Sequence, residues 1–272
     1  MLKEFRTLEN GTRIPRIGFG TWQIENGEEA YKSVSLALKN GYIHIDSAKG
    51  YGNEESVGKA VRDSKIPREE IFVTSKLPSH IKNYEDAKKS FKQTLDNFGF
   101  DYLDLYLIHA PWPWDDIGSK HDEGNVEVWK AMEEFYKAGK IKAIGVSNFS
   151  PDDIQNIIDN CEIKPHVNQI GFYIGKDQEE TLAYCKQNNI LVEAYSPLAT
   201  GKILDHPTIV EMAEKYQVSP AQICIRYCIQ KNTIPLPKST HENRIIQNSQ
   251  VNFEITDLDM EVLESLSDID KS

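Results

Sequence analysis

Cysteine is scarce in this 272-residue sequence, which has only Cys161, Cys185, Cys224 and Cys228. None forms a Cys-x-x-Cys pair, and Cys224 and Cys228 stand one helical turn apart with no histidine at zinc spacing. That pattern argues against a disulfide framework or a zinc ribbon and leaves buried, reduced thiols. No run approaches the ~18 apolar residues of a spanning helix, and no charged-then-apolar leader opens the sequence. A reduced, soluble, cytoplasmic protein is expected. Positive charge is also short: 31 Lys and Arg face 42 Asp and Glu, a formal net charge of −11. An acidic surface repels phosphate backbones and anionic lipid, so neither nucleic acid nor a membrane is an expected partner. A three-glycine dinucleotide fingerprint is missing too. Gly18-Phe19-Gly20-Thr21-Trp22 lacks the third glycine and enters no immediate helix.

What the sequence does contain is alternation. A hairpin is expected at 4–8 and 13–17 around Asn10-Gly11, a pair that tolerates positive φ in tight turns. Short apolar runs come next at 17–20, 42–45, 71–74, 103–108, 141–146, 166–170, 191–194 and 233–236. Amphipathic patterns separate them at 28–39, 54–63, 85–97, 126–138, 152–159, 178–188, a split pair at 208–216 and 220–229, and 241–248, with a last helix expected at 259–266. Ser150-Pro151-Asp152 and Ser219-Pro220 are helix-start signals. Eight βα units argue for parallel strands, and eight close a barrel. The expected fold is a (β/α)8 TIM barrel over 1–272, with an N-terminal β-hairpin and a short C-terminal helix. A doubly wound open sheet competes, but usually has fewer strands. The longest irregular stretch, 110–124, is rich in Pro, Trp and charge, as binding loops and lids often are.

The strand ends carry the chemistry. Successive runs finish at Asp46, Lys76, His109, Ser147-Asn148, Asn168-Gln169, Tyr195-Ser196 and Lys238-Ser239, and Tyr51 lies in the loop after Asp46. In such a barrel these ends meet at one mouth. A tyrosine titrates near 10 and is a poor acid–base at neutral pH. A lysine about 4 Å away favours the phenolate by about 4 kcal/mol, at most about three pKa units. A paired aspartate would keep that lysine charged, and a neutral histidine could bond a substrate oxygen. The set suits proton delivery to a carbonyl oxygen, which is reduced only if a hydride donor is also present. A rival reading takes His44 and Asp46, alternate residues on one strand, as metal ligands. No second His-x-His or His-x-Asp supports it, and no metal is expected.

Three segments make the pattern specific: Gly41-Tyr-Ile-His-Ile-Asp46-Ser-Ala-Lys-Gly-Tyr51-Gly-Asn-Glu54, Asp101-Tyr-Leu-Asp-Leu-Tyr-Leu-Ile-His109, and Leu236-Pro-Lys238-Ser239 with Arg244 and Gln247-Asn248. With Ile144–Phe149 (IGVSNF) and Ala194-Tyr-Ser-Pro-Leu198, they resemble the aldo-keto reductases over nearly the full length, the short prokaryotic diketogluconate and glyoxal type above all. The resemblance implies NADP(H)-dependent reduction of aldehydes and ketones by a monomer. It makes Tyr51 the general acid, Lys76 held by Asp46 its tuning cation, and His109 the group that orients the carbonyl. It assigns Ser147, Asn148 and Gln169 to the nicotinamide carboxamide, Tyr195 to ring stacking, and Ser196 and Leu198 to the pyrophosphate path. Lys238, Ser239 and Arg244 would take the 2′-phosphate, and Asn248 the adenine. Trp22 and Trp112, with Trp114, are candidate walls of the substrate pocket.

Several positions depart from the family pattern. Ser47 follows the motif aspartate, Ala110 the motif histidine, Pro78 stands two after Lys76, and His241 three after Lys238. The sequence ends soon after its last predicted helix, so the resemblance implies an open pocket. A barrel of this family that binds or senses the cofactor with little turnover is the alternative.

Overall fold

The computed structural model describes residues 1–176, 178–267 and 269. Asn10-Gly11 turns a hairpin between β1 (Phe5–Thr7) and β2 (Arg13–Pro15), and Gly11 takes the positive φ, 84°, that this turn demands. Its apolar residues Leu8 and Ile14 join the interior cluster of Phe72, Leu105, Leu107, Val167 and Ile234. The hairpin therefore plugs one end of the space enclosed by the main sheet.

Among the described residues, eight parallel strands form that sheet in chain order. They are β3 (Phe19–Gly20), β4 (His44–Asp46), β5 (Phe72–Leu77), β6 (Leu103–Ile108), β7 (Ile141–Ser147), β8 (Val167–Gly171), β9 (Leu191–Tyr195) and β10 (Ile234–Leu236). Two backbone bonds close the sheet on itself: Gly18 N donates to Pro235 O at 3.0 Å and Gly20 N to Pro237 O at 3.1 Å. The seam explains the two glycines that fell short of a dinucleotide motif. A Cβ on Gly20 would stand 3.0 Å from Leu236 O, and one on Gly18 only 2.5 Å from a Leu236 methyl. The fold is the (β/α)8 TIM barrel expected from the alternation.

The helices are α1 (Glu28–Lys39), α2 (Glu54–Asp63), α3 (Tyr84–Phe98), α4 (Asp122–Lys137), α5 (Pro151–Asn160), α6 (Glu179–Gln187), α7 (Pro207–Tyr216), α8 (Pro220–Gln230), α9 (Glu242–Ser249) and α10 (Asp257–Glu264). Ser150 and Ser219 each build a full capping box, with Asp153 and Gln222, worth about 1 kcal/mol apiece. Apolar helix stripes close on the outside of the strands, so the larger core is a sleeve between sheet and helices, with Trp129, Phe91, Phe98 and Ile223 fully buried.

Two helix starts differ from the expectation by more than one residue. Helix α4 begins at Asp122, not at 126, because Asp122 and Glu123 suit the positive end of the helix dipole and Asn125 N already bonds His121 O at 2.8 Å. The irregular stretch after His109 is shortened accordingly. Helix α10 spans Asp257–Glu264, two residues earlier than expected, since the Thr256 hydroxyl caps it by accepting from Asp259 N. The expected domain limit at residue 272 lies outside the described residues. No helix among them is long and apolar enough to cross a membrane.

Candidate active site

Parallel strands in register bring their ends to one face. Asp46 ends β4, Lys76 lies in β5, His109 follows β6, Ser147 ends β7 and Tyr195 ends β9. All but the buried Lys76 line a cleft of about 1260 Å³ that also takes in Trp22, Trp114, Lys238 and Arg244.

Lys76 is fully buried, and its ammonium has four neighbours. Nζ donates to Asp46 Oδ1 at 2.9 Å, Asp46 Oδ2 at 2.8 Å, Ser47 O at 2.8 Å and Tyr51 Oη at 3.2 Å. An ammonium has donors only, so the phenol must accept from it. The hydroxyl hydrogen of Tyr51 is thereby left for a partner in the cleft. Burial, the largest influence on Lys76, disfavours its charge, but Asp46 and Tyr51 outweigh it and hold the ammonium above its ordinary range.

For Tyr51 the balance falls the other way from the expectation. Burial dominates and raises the phenol above its ordinary value, while the Lys76 cation pulls downward without prevailing and Asp46 adds to the rise. Desolvation depends on packing, which the lysine–tyrosine pairing by itself did not reveal. Tyr51 is therefore a protonated acid at neutral pH. Its loop is fixed from below by Asn53, whose Nδ2 donates to Thr21 O and Ile24 O at 3.0 Å each, and which accepts from Ser47 Oγ at 2.8 Å. Glu54 continues the anchor, accepting from Ser75 Oγ at 2.7 Å and Asn97 Nδ2 at 2.8 Å.

The His109 ring stands edge-on to Tyr51, with centroids 5.6 Å apart. Burial first, then the nearby Lys76 charge, lowers it to about 3, so the imidazole is neutral and keeps one N–H donor. The metal alternative loses its pairing: Asp46 is engaged by Lys76, while His44 Nε2 faces Glu193 Oε1 at 3.4 Å.

A model of the Aldo/keto reductase family matches residues 16–268. The chain belongs to that family. It is 42% identical over 267 residues to the glyoxal reductase of Bacillus subtilis, covering 98% of this chain and 94% of the relative. An aldo/keto reductase crystal structure from Brucella melitensis superposes with TM-score 0.89 at 40% identity, covering 96% of this chain and 98% of that one. A Bombyx mori aldo-keto reductase in complex with NADP does so with TM-score 0.88 at 32% identity, covering 98% and 93%. This member of the family is an oxidoreductase.

The remaining family positions fall along the same cleft. Asn148 takes a left-handed φ of 61°, and its side chain is already committed. Its Nδ2 donates to His109 O and Ser147 Oγ at 3.1 Å each, and its Oδ1 accepts from Tyr195 Oη at 2.8 Å. Ser147 Oγ donates to Gln169 O at 2.8 Å. Gln169 Nε2 donates across the barrel to Asp46 Oδ1 at 2.8 Å and along the sheet to Glu193 Oε2 at 2.8 Å. Ser196, Leu198, Ser239 and Asn248 all line the cleft. At one end Lys238 and Arg244 have no carboxylate partner among the described residues, and the neighbouring Glu242 pairs instead with Lys39 at 3.4 Å.

The substrate walls need one correction. Trp22 and Trp114 line the cleft, half-exposed, but Trp112 does not. It stands one ring back, its centroid 5.0 Å from that of Trp114, which in turn lies 5.6 Å from the His109 ring. Pro78 and His80 complete the rim. The sequence reading missed Glu193 altogether. Its signal was a carboxylate in the middle of an otherwise apolar strand, two residues before Tyr195 and therefore on the same inward face.

Proposed function

We propose that this protein reduces small aldehydes and ketones with NADPH, Tyr51 delivering the proton to the carbonyl oxygen. One observation carries the reading: Asp46, Lys76 and Tyr51 form a continuous bonded chain that ends in a phenol hydrogen facing the cleft beside neutral His109. The family resemblance implies the same roles for these groups.

The cleft fits a dinucleotide. Gln169 has an amide oxygen left for a carboxamide, and the Tyr195 ring borders the cleft where a flat ring could stack. The unpaired Lys238 and Arg244 offer a phosphate two cations that no carboxylate neutralises, on a chain of net charge −11. Arginine can hold a phosphate bidentately. An unesterified 2′-hydroxyl would leave those cations unanswered, so NADPH is preferred over NADH.

When bound, the nicotinamide supplies a hydride for the carbonyl carbon. The chain does the rest. His109 donates to the carbonyl oxygen and sets its direction. Tyr51 gives that oxygen its proton, and Lys76 stabilises the phenolate left behind. Trp22 and Trp114 provide apolar walls for the substrate, and their exposure leaves the mouth open.

The test is NADPH oxidation with a carbonyl panel that includes methylglyoxal and nitrobenzaldehyde, repeated with NADH. Turnover with a lower Michaelis constant for NADPH is expected. An equal or lower constant for NADH would overturn the cofactor assignment. Tight NADPH binding without turnover of any carbonyl would overturn the reductase reading in favour of a cofactor-sensing barrel.

A further inference from the structure

Beneath the Tyr51–Lys76–Asp46 chain lies a second carboxyl group that the reaction does not consume. Glu193 projects into the barrel from β9 and is completely buried. Its Oε2 accepts from Gln169 Nε2 at 2.8 Å. Its Oε1 has no hydrogen-bond partner among the described residues and stands 3.4 Å from His44 Nε2. A buried, half-satisfied carboxyl costs folding free energy, and an apolar side chain would fill the same space more cheaply. Packing alone therefore does not account for it.

We infer that Glu193 is a positioning residue for carbonyl reduction, orienting the Gln169 amide so that Gln169 in turn braces Asp46 and Lys76 behind Tyr51. The inference rests on the reductase reading above. An amide nitrogen carries two hydrogens. In Gln169 one goes to Asp46 Oδ1 and the other to Glu193 Oε2, both at 2.8 Å. The nitrogen is saturated, so only the carbonyl oxygen remains for the cleft. Without Glu193 the amide is free to turn, which would set its oxygen against the Asp46 carboxylate or its nitrogen towards the cofactor site. Asp46 Oδ1, shared between Gln169 and Lys76, would lose a donor, and the ammonium aimed at Tyr51 would lose its fixed base.

The charge state supports this role. Burial, with the Asp46 carboxylate as the next cause, pushes Glu193 up to about 8, and Gln169 and Lys76 oppose that rise more weakly. Burial lowers His44 to about 3. At neutral pH Glu193 is then a carboxylic acid and His44 a neutral ring. The buried network keeps one anion, Asp46, and one cation, Lys76. Glu193 can accept from Gln169 without competing for the ammonium.

Three variants test it: Glu193→Gln keeps an acceptor at the same reach, Glu193→Leu removes it, and Glu193→Asp withdraws it by one methylene. Leu and Asp are expected to lower kcat by about tenfold or more with little change in the aldehyde KM, and Gln to stay within about threefold of the parent. A second readout needs no turnover. The side-chain amide protons of Gln169, assigned through Gln169→Glu, should exchange about tenfold faster in the Leu and Asp variants but not in the Gln variant. Because Asp is the smaller change, it decides the matter if Leu fails to fold. A folded Leu or Asp variant with parental kcat and parental exchange would overturn the proposal. If the parent itself reduces no carbonyl, the reductase reading fails, and exchange alone decides whether Glu193 orients Gln169.

Discussion

Replacing Tyr51 with phenylalanine removes one hydroxyl and keeps a ring that packs beside His109. A positioned general acid contributes about 10²–10⁴-fold, so Tyr51→Phe should lower kcat by that factor. NADPH affinity, followed by quenching of tryptophan fluorescence, should be unchanged, and a variant with near-parental turnover would refute the acid role. At this scale much of the site was legible in the sequence. Asp46, Lys76 and His109 announce themselves because polar residues ending apolar runs are conspicuous, and the barrel then brings the ends together. Two things were hidden. The direction of the Tyr51 shift depends on how much water packing removes, which no spacing encodes. Glu193 acts through Gln169, which reaches Asp46 from the opposite wall, and the contact spans 123 positions of sequence.

Helices and strands were visible through their periods, but the contacts between them were not. Gly58 lies within α2, where glycine costs a helix about 1 kcal/mol relative to alanine. Propensity alone would therefore forecast a stabilising Gly58→Ala. The packing reverses the sign: an added Cβ would fall 2.3 Å from Phe98 O and 2.6 Å from Phe98 Cα at the end of α3. That same carbonyl accepts from the Arg62 guanidinium, so it cannot move freely. Gly58→Ala should destabilise the fold by about 1–3 kcal/mol in urea unfolding. An unchanged or higher midpoint would show that the α2–α3 contact yields. The early start of α4 has the same lesson in milder form. A loop-like stretch with Gly124 became helix because acidic residues at its head favoured another turn.

For the whole molecule, buried ionisable groups link stability to pH, and Glu193 carries the largest carboxyl shift among them. Glu193 rises from 4.5 to about 8 on folding, so the folded protein holds its proton longer than the unfolded chain does. The stability this contributes is complete at low pH and is lost as pH rises through the folded value. His44 falls from 6.5 to about 3 and so costs stability only as pH drops below 6.5. Lys82, lowered by burial from 10.5 to about 8, matters only above that value. Between about pH 6.5 and 8 Glu193 is thus the group to watch, with at most about 2 kcal/mol at stake for one proton over that span. Thermal melts should show the parent losing stability across this window and Glu193→Gln holding nearly level. Parallel profiles would mean that Glu193 is ionised throughout.

The seam between β3 and β10 has a consequence for how the chain is made. β3 is the first barrel strand to leave the ribosome, yet the carbonyls that receive Gly18 N and Gly20 N belong to Pro235 and Pro237, near the other end of the sequence. Until those residues emerge, the nascent sheet carries an open edge, the kind of surface on which chains join one another wrongly. Gly18 and Gly20 let β10 seat closely once it arrives. A nascent chain stalled before Leu236 would already hold Asp46, Lys76, Tyr51 and His109, but in a barrel still unsealed.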